Sequence, residues 1–407
     1  MAVIGAGIIG MCCARWLQRD GHAVTVIDPV APGQSTSFGN AGIISPTSVA
    51  PIAMPGTLAR APGWLLDPMG PLTIRWRYLP RVAPWLLRLL ANTRPRRVRE
   101  IAAALAVLNR PAIDDYEALL GRRDFADLVR RDGHLYVYES ARAAAEAAES
   151  WRLRAEFGAS VAHLGGDELR QMEPALGPSV AGAVHVADGA HVVSPVRVVA
   201  TLAERFVEDG GNIVAARVQA ITPAEGGATL RCEGRDIAAD AVVVAAGAWS
   251  RRLSAPLGDR VPLETERGYH LTIADPGVMP RRPVSLPEGG FFVTPMEMGL
   301  RIAGTVEFAG LDAAPDYRRA SAMLPRARRV FPGLRAEGAS QWMGFRPTLP
   351  DSLPVIGPSP GHRWLHYAFG HSHLGLTEGA TTGRMIADMI AGRAGAIDPT
   401  PYRVDRF

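Results

Sequence analysis

The chain has 407 residues, 47% hydrophobic and 21% charged, with a net charge of +4. That length buries a large core and suits two domains, and the balance excludes a disordered chain. Every basic residue is arginine, so Schiff-base and P-loop lysine chemistry is excluded. No apolar run reaches the length of a membrane span. An apolar segment starts at the second residue, which leaves no leader to expect. The three cysteines, Cys12, Cys13 and Cys232, fit a reducing compartment, so the expected location is the cytoplasm.

In chain order, Val3 and Ile4 predict a short strand that runs into Gly5, Ala6, Gly7, Ile8, Ile9 and Gly10, a G-x-G-x-x-G turn. Gly5 permits the tight turn, Gly7 lets backbone approach a pyrophosphate, and Gly10 lets strand and helix pack closely. A helix over residues 11–19 would present its free N–H groups to the phosphates. Cys12 and Cys13 are small residues on that helix. A second strand, residues 23–27, ends in Asp28, 18 residues after Gly10. An acid there accepts hydrogen bonds from a ribose 2′-OH. The pattern predicts a bound dinucleotide.

Residues 33–46 form a Gly-rich polar loop suited to phosphate contacts. Residues 51–99 are rich in proline, tryptophan and leucine, and between Pro68 and Arg99 carry eight arginines and no acid. Stretch 64–99, with Trp64, Leu65, Leu66, Trp76 and Trp85, reads two ways. It is a patch that touches a membrane surface or a partner subunit, or it is a set of helices packed on their own fold. Residues 97–120 and 141–157 read as helical, with a break at Pro111, and residues 132–138 as turn and strand. Ser194 and Pro195 open a helix that stops at Gly210 and Gly211. Residues 241–246 are a buried-type strand, ending in Gly247, Ala248 and Trp249. Residues 255–340 are rich in strand signals, and a helix closes the pattern over 381–390.

This order of motifs resembles the FAD-dependent amine oxidoreductases of the D-amino-acid oxidase and glycine oxidase family, most of all its bacterial D-amino-acid dehydrogenases. The specific pieces are Thr36, Ser37, Phe38, Gly39, Asn40, Ala41 and Gly42; then Gly344, Phe345, Arg346, Pro347 and Thr348; then Val355, Ile356 and Gly357; and His371, Ser372, His373, Leu374, Gly375, Leu376 and Thr377. The implied fold class is α/β: a Rossmann-like FAD-binding domain (1–50, 160–250 and 344–407) and a mixed-sheet α+β substrate domain (51–159 and 251–343), both discontinuous. The resemblance implies FAD. Ser35, Thr36 and Ser37 would lie near the pyrophosphate and ribityl chain, Val218 at the adenine, and Ala246 and Gly247 over the diphosphate. Leu374, Gly375, Leu376 and Thr377 would run along the flavin pyrimidine edge, and Asn40, Ala41, Gly42, Trp249, Gly344 and His373 would also bind the cofactor. Gly39 stands where some relatives carry a linking histidine, so the FAD is expected to be non-covalent.

The resemblance also implies a reaction. Arg346 would hold a substrate carboxylate through its two-donor fork. Tyr269 would add a hydrogen bond, with Arg267 and His270 on the opposite strand face. Asn40, Ser45 and His371 would contact substrate. His371 or His373 would shape the pocket or help deprotonate the amine, and no third ligand marks a metal site. The small amino-acid substrate would lose a hydride from Cα to flavin N5, give an imino acid, and send the electrons to a quinone or another carrier. The alternatives are an oxygen-using oxidase of glycine, sarcosine, D-proline or D-hydroxyproline-like amines, a subunit of a multi-protein dehydrogenase, and an RNA-modifying flavoprotein. Nucleic acid is the least favoured partner.

Overall fold

The structure, a computed structural model, describes residues 1–56, 67 and 69–407. Trp64, Leu65 and Leu66 therefore lie outside the described residues. Two sheets organise the rest. The first has six strands in the order Asn212–Ala215, Thr25–Asp28, Ala2–Ile4, Val242–Val244, Leu365–Phe369 and Val355–Pro358. The first five run parallel and the last is antiparallel. Its central strands, Ala2–Ile4 and Val242–Val244, are buried throughout, as a parallel sheet covered on both faces requires.

The first helix, Ile8–Arg19, lies against the last, Gly375–Ile390, and against Pro195–Glu208. Small residues set that closeness. A Cβ at Gly383 would sit 2.6 Å from the carbonyl carbon of Cys12. Cys12 and Cys13 are fully buried there. Burial pushes the Cys13 thiol up to about 12 and Cys12 well above its ordinary value, which keeps both protonated and unreactive. The last helix begins six residues before the 381 start that the sequence suggested. Ser194 does precede the helix Pro195–Glu208, but its hydroxyl caps no N–H.

The larger sheet has nine strands among the described residues. Along its path lie Ser340–Thr348, Glu264–Ile273, Gly299–Phe308, Phe291–Met296, Val284–Leu286, His134–Tyr138, Gly182–Val186 and Val161–Leu164, with Leu72–Ile74 beside Gly299–Phe308. Residues 161–186, expected on the FAD-binding side, pair within the larger sheet. Strand Ser340–Thr348 also belongs there rather than to the C-terminal return. Conversely, the helices Pro95–Asn109 and Ala112–Leu120 bury Ile101, Leu105, Ile113 and Tyr116 in the core around the first helix. Propensity located these helices and the Pro111 break between them. Which sheet they would cover depends on long-range packing that propensity does not encode.

The arginine-rich stretch divides by face. In the helix Leu79–Ala91, Val82 and Trp85 pack on Phe308, with Trp85 and Phe308 ring centroids 5.3 Å apart. Outside, Trp76 is 76% exposed and Leu87 69%. No helix among the described residues is long and apolar enough to cross a membrane.

Candidate active site

The glycine turn stands at the C-terminal edge of the six-stranded sheet, between strand Ala2–Ile4 and the first helix. Gly5 has φ +113°, and a Cβ on it would overlap the carbonyl oxygen of Ala245. A Cβ on Gly10 would overlap the carbonyl oxygen of Gly5, so this glycine serves packing. Asp28 accepts from the N–H of Ala6 at 2.8 Å and of Val30 at 2.9 Å. It thereby holds the turn closed from the neighbouring strand. The Ser37 hydroxyl accepts from the N–H of Ile8 at 3.0 Å, which takes up one of the free amides of the first helix.

A cavity of about 1140 Å³ opens from this turn and runs between the two sheets. Gly5, Gly7, Ile8, Ile9 and Asp28 line one end, and Val218, Ala246, Gly247 and Trp249 stand near them. Ser35, Thr36, Ser37, Asn40, Ala41 and Ser45 line the middle. Gly344, Arg346, His371, His373, Leu374, Gly375, Leu376 and Thr377 line the far part, with Tyr269. The sequence-selected residues thus meet in one cavity, with three exceptions. Gly10 packs beneath the turn. Gly42, at φ +79°, turns the chain, and its N–H donates to the Asn40 side-chain oxygen at 2.7 Å. His270 points away, stacked on Trp342 at 5.0 Å with Nδ1 3.1 Å from the Gly39 carbonyl oxygen. The strand's two-residue period sends it to the opposite face from Tyr269.

Arg346 enters from strand Ser340–Thr348. Two of its N–H groups donate to the carbonyl oxygens of Thr305, 2.9 Å, and Gly304, 3.4 Å. Among the described residues its remaining donors have no protein acceptor. Thr305 itself has φ +58°, a left-handed backbone that turns its carbonyl toward the guanidinium. Gly268 is glycine because a Cβ there would overlap that guanidinium. Burial lowers the pKa of Arg346, and the nearby carboxylate of Glu266 opposes the shift.

Tyr269 lines the cavity with its ring, but its hydroxyl is engaged elsewhere. It donates to Glu307 Oε2 at 2.7 Å and accepts from the N–H of Asp316 at 3.1 Å. Burial and the Glu307 carboxylate push the phenol up to about 12. The hydrogen bond expected to go to a substrate carboxylate is made here to Glu307. Arg267 lies 3.7 Å from the same Glu307 and donates to the carbonyl oxygens of Gly310, Ala313 and Ala314, so it shares Tyr269's face rather than opposing it. His371 is buried, with Nε2 3.0 Å from the Thr382 hydroxyl, and burial pushes it down to about 3. His373 is open to the cavity yet enclosed by protein; burial, then Arg346 and Arg154, push it down to about 4. Both imidazoles are neutral at pH 7, and no His, Cys, Asp and Glu cluster fit for a metal occurs among the described residues.

The family described as FAD dependent oxidoreductase matches residues 1–389. The chain is 40% identical to a D-amino-acid oxidase of Bradyrhizobium diazoefficiens over 415 residues, covering 100% of this chain and 98% of that one. It is 33% identical to a D-amino acid dehydrogenase of Paramagnetospirillum magneticum, covering 100% of this chain and 98% of that one. The chain belongs to the FAD-dependent oxidoreductases. Its fold matches the glycine oxidase of Geobacillus kaustophilus with a TM-score of 0.73 at 23% identity, covering 100% of this chain and 98% of that chain. An iminodiacetate oxidase of Chelativorans sp. BNC1 gives a TM-score of 0.74 at 24% identity, covering 99% and 98%.

The cavity of this flavoenzyme fits the dinucleotide. Gly7, at the N-cap of the first helix, has no side chain to cap it, so apart from the Ile8 N–H taken by Ser37 the helix N-terminus is open to phosphate. Sequence reasoning missed several residues that shape the other end. Trp342 lies between Gly39 and Gly344, and a Cβ on either would overlap its ring. Glu266 faces Arg346, and Arg301 donates to the carbonyl oxygens of Phe38 and Asn40, both at 2.9 Å, pinning the 36–40 loop to the larger sheet. Neither was readable locally: Gly39 meets Trp342 only in the fold, and Glu266 comes opposite Arg346 only through strand pairing.

Proposed function

We propose that this flavoenzyme oxidises D-amino acids to imino acids, which water converts to keto acids and ammonia. The observation that carries the reading is a single cavity with a backbone-built phosphate cradle at one end and Arg346, with unpartnered donors, at the other. The names of the relatives at 40% and 33% identity support D-amino acids as the substrate class. Bound FAD supplies the two-electron acceptor for the Cα–H bond.

The chain's own residues do the rest. Gly5, Gly7, Ile8, Ile9 and the Ser35–Ser37 loop hold the diphosphate, and Asp28 the ribose. Val218 meets the adenine, and Ala246, Gly247 and Trp249 cover the neighbouring segment. Residues 374–377 bring the N-terminus of the last helix, a partial positive charge, beside the flavin. Arg346 binds the substrate carboxylate and orients Cα. His373, kept neutral by burial and the two arginines, accepts a hydrogen bond from the substrate nitrogen, whose extra proton is lost to water so that the amine lone pair is free. Asn40, Ser45 and His371 complete the walls, and Tyr269 contributes its ring. The FAD is non-covalent: Gly39 has no side chain to form a link, and none of the three cysteines lines the cavity.

For the electrons we propose a quinone or another carrier. The support is the outer face of residues 76–91, where exposed Trp76, Pro80, Pro84 and Leu87 alternate with Arg77, Arg81 and Arg88. Such a face suits the anionic inner surface of a membrane. The oxidase name of the 40% relative favours oxygen instead, as a second reading. The domain reading becomes an FAD unit on the six-stranded sheet and a substrate unit on the larger one.

The test is the visible spectrum during anaerobic addition of D- and L-amino acids, glycine and sarcosine. Bleaching by D-forms and not by their L-forms is expected; no bleaching by any D-amino acid would sink the reading. Peroxide on admitting air would select oxygen, and rapid reduction of a soluble quinone without peroxide would select the carrier.

A further inference from the structure

Four arginines line the cavity, and three have an acid close by. Arg217 lies 3.9 Å from Glu233, Arg252 lies 3.6 Å from Asp312, and Arg346 feels the Glu266 carboxylate. The fourth is Arg154, in the last turn of the helix Ala141–Glu156. It has no carboxylate within 4 Å among the described residues. Glu146 is engaged by Arg142 at 2.9 Å and Glu156 by Arg99 at 3.7 Å.

Arg154 is held in place by other means. Its guanidinium lies over the Tyr136 ring at 5.6 Å and the Trp151 ring at 5.2 Å. One N–H donates to the Thr47 carbonyl oxygen at 3.3 Å. Stacking fixes the plane of the fork and leaves edge N–H groups for a planar two-oxygen acceptor. Arg154 and Arg346 both repel a proton on His373, so the two cations address the same part of the cavity. Arg346 is opposed by Glu266, whereas Arg154 has no ion-pair partner among the described residues, although Glu149 and the Arg142-bound Glu146 of its own helix also line the cavity. A zwitterionic neutral amino acid leaves the Arg154 charge unpaired in a partly dry site; a substrate with one more carboxylate pairs it. Tyr136 and Phe292 supply apolar wall for the methylenes between the two carboxylates.

We propose that Arg154 anchors a second, side-chain carboxylate, so that the enzyme prefers dicarboxylic D-amino acids, the D-aspartate and D-glutamate class, over neutral ones. This rests on the D-amino-acid reading above.

The test compares kcat/KM for D-aspartate, D-glutamate, D-asparagine, D-glutamine and D-alanine in the wild type and in Arg154→Gln and Arg154→Lys. The wild type should prefer each acid to its amide by about tenfold or more. Arg154→Gln should erase that ratio, and Arg154→Lys should restore part of it. Independently of turnover, succinate should perturb the oxidised flavin spectrum at concentrations about tenfold below those needed for propionate, and only while Arg154 is present. An acid-to-amide ratio near one in the wild type would overturn the proposal. So would an equal loss on all substrates in Arg154→Gln with a changed flavin potential, which would place this charge on the cofactor. If neutral D-amino acids bleach the flavin and acidic ones have no advantage, this inference alone fails. If no D-amino acid bleaches it, the functional reading fails first.

Discussion

The two ends of the cavity are built from different materials. The phosphate end is mostly backbone: glycines that admit no Cβ, a helix N-terminus with no N-cap side chain, and Asp28 closing the turn through two N–H groups. The far end is side chain: Arg346 held by carbonyls, Tyr269 held by Glu307, and Trp342 fitted between glycines. Backbone sites fail by steric overlap, all at once. Side-chain sites fail by degrees, since each bond contributes about 1 to 3 kcal/mol.

The largest effect is therefore expected at the phosphate end. Gly10→Val places methyl groups on the Gly5 carbonyl oxygen, and the strand–helix approach that forms the turn cannot survive. The variant should purify without flavin, read as loss of the absorbance near 450 nm, or not fold. Full flavin occupancy would show that the turn can open, and would erase the contrast between the two ends.

That contrast also explains what the sequence disclosed. Gly5, Gly7, Gly10 and Asp28 bind through local backbone geometry, so their spacing alone was readable. Arg346, Gly344 and the 371–377 loop were legible only through resemblance, because nothing local distinguishes Arg346 from the chain's many other arginines. Tyr269 was assigned to substrate and proves tied to Glu307, a partner 38 residues away on the adjacent strand. Arg301 and Glu266 were invisible for the same reason: their roles exist only once strands Glu264–Ile273, Gly299–Phe308 and Ser340–Thr348 lie side by side. The fold class was legible from element order. The boundary near 160 was not, since strand Val161–Leu164 takes its sheet from the pairing of residues far away in sequence.

At the far end the largest single step should come from Arg346→Gln. It removes the carboxylate partner and leaves Glu266 buried without a counter-charge, a loss of about 3 kcal/mol or more, over a hundredfold in kcat/KM. Flavin content should stay at the wild-type level, because the phosphate end is untouched. A loss of flavin together with activity would mean that the two ends are not separable.

Beyond the cavity, the larger sheet encloses neutral imidazoles, and these give a signed pH dependence. His134 is fully buried with Nε2 3.0 Å from the Ala190 carbonyl oxygen, and burial pushes it down to about 4. Its unfolded value is about 6.5. The unfolded chain therefore binds the proton first, and the stabilisation is complete above pH 6.5 and lost as pH falls toward 4. By pH 5 this residue alone accounts for roughly 2 kcal/mol. His134→Asn should lose less stability between pH 7.5 and pH 5 than the wild type does, by about that amount, in urea unfolding at the two pH values. Parallel losses would show that the ring is already charged, or solvated, in the fold.

The smallest effect is expected at Tyr269, and it is the finest probe of what the far end does. The hydroxyl sits between Glu307 Oε2 and the N–H of Asp316, so both its donor and its acceptor roles are occupied before any substrate arrives. Tyr269→Phe keeps the ring on the cavity wall and leaves Glu307 still held by Arg75 at 2.7 Å. The cost should then be structural, about 1 to 2 kcal/mol of unfolding free energy, with kcat/KM changed only a few-fold. A phenol that instead bound the substrate carboxylate would show the reverse, little change in stability and a loss of tenfold or more in kcat/KM. The two outcomes move opposite observables, so one variant measured both ways decides whether Arg346 holds the carboxylate without help from this tyrosine.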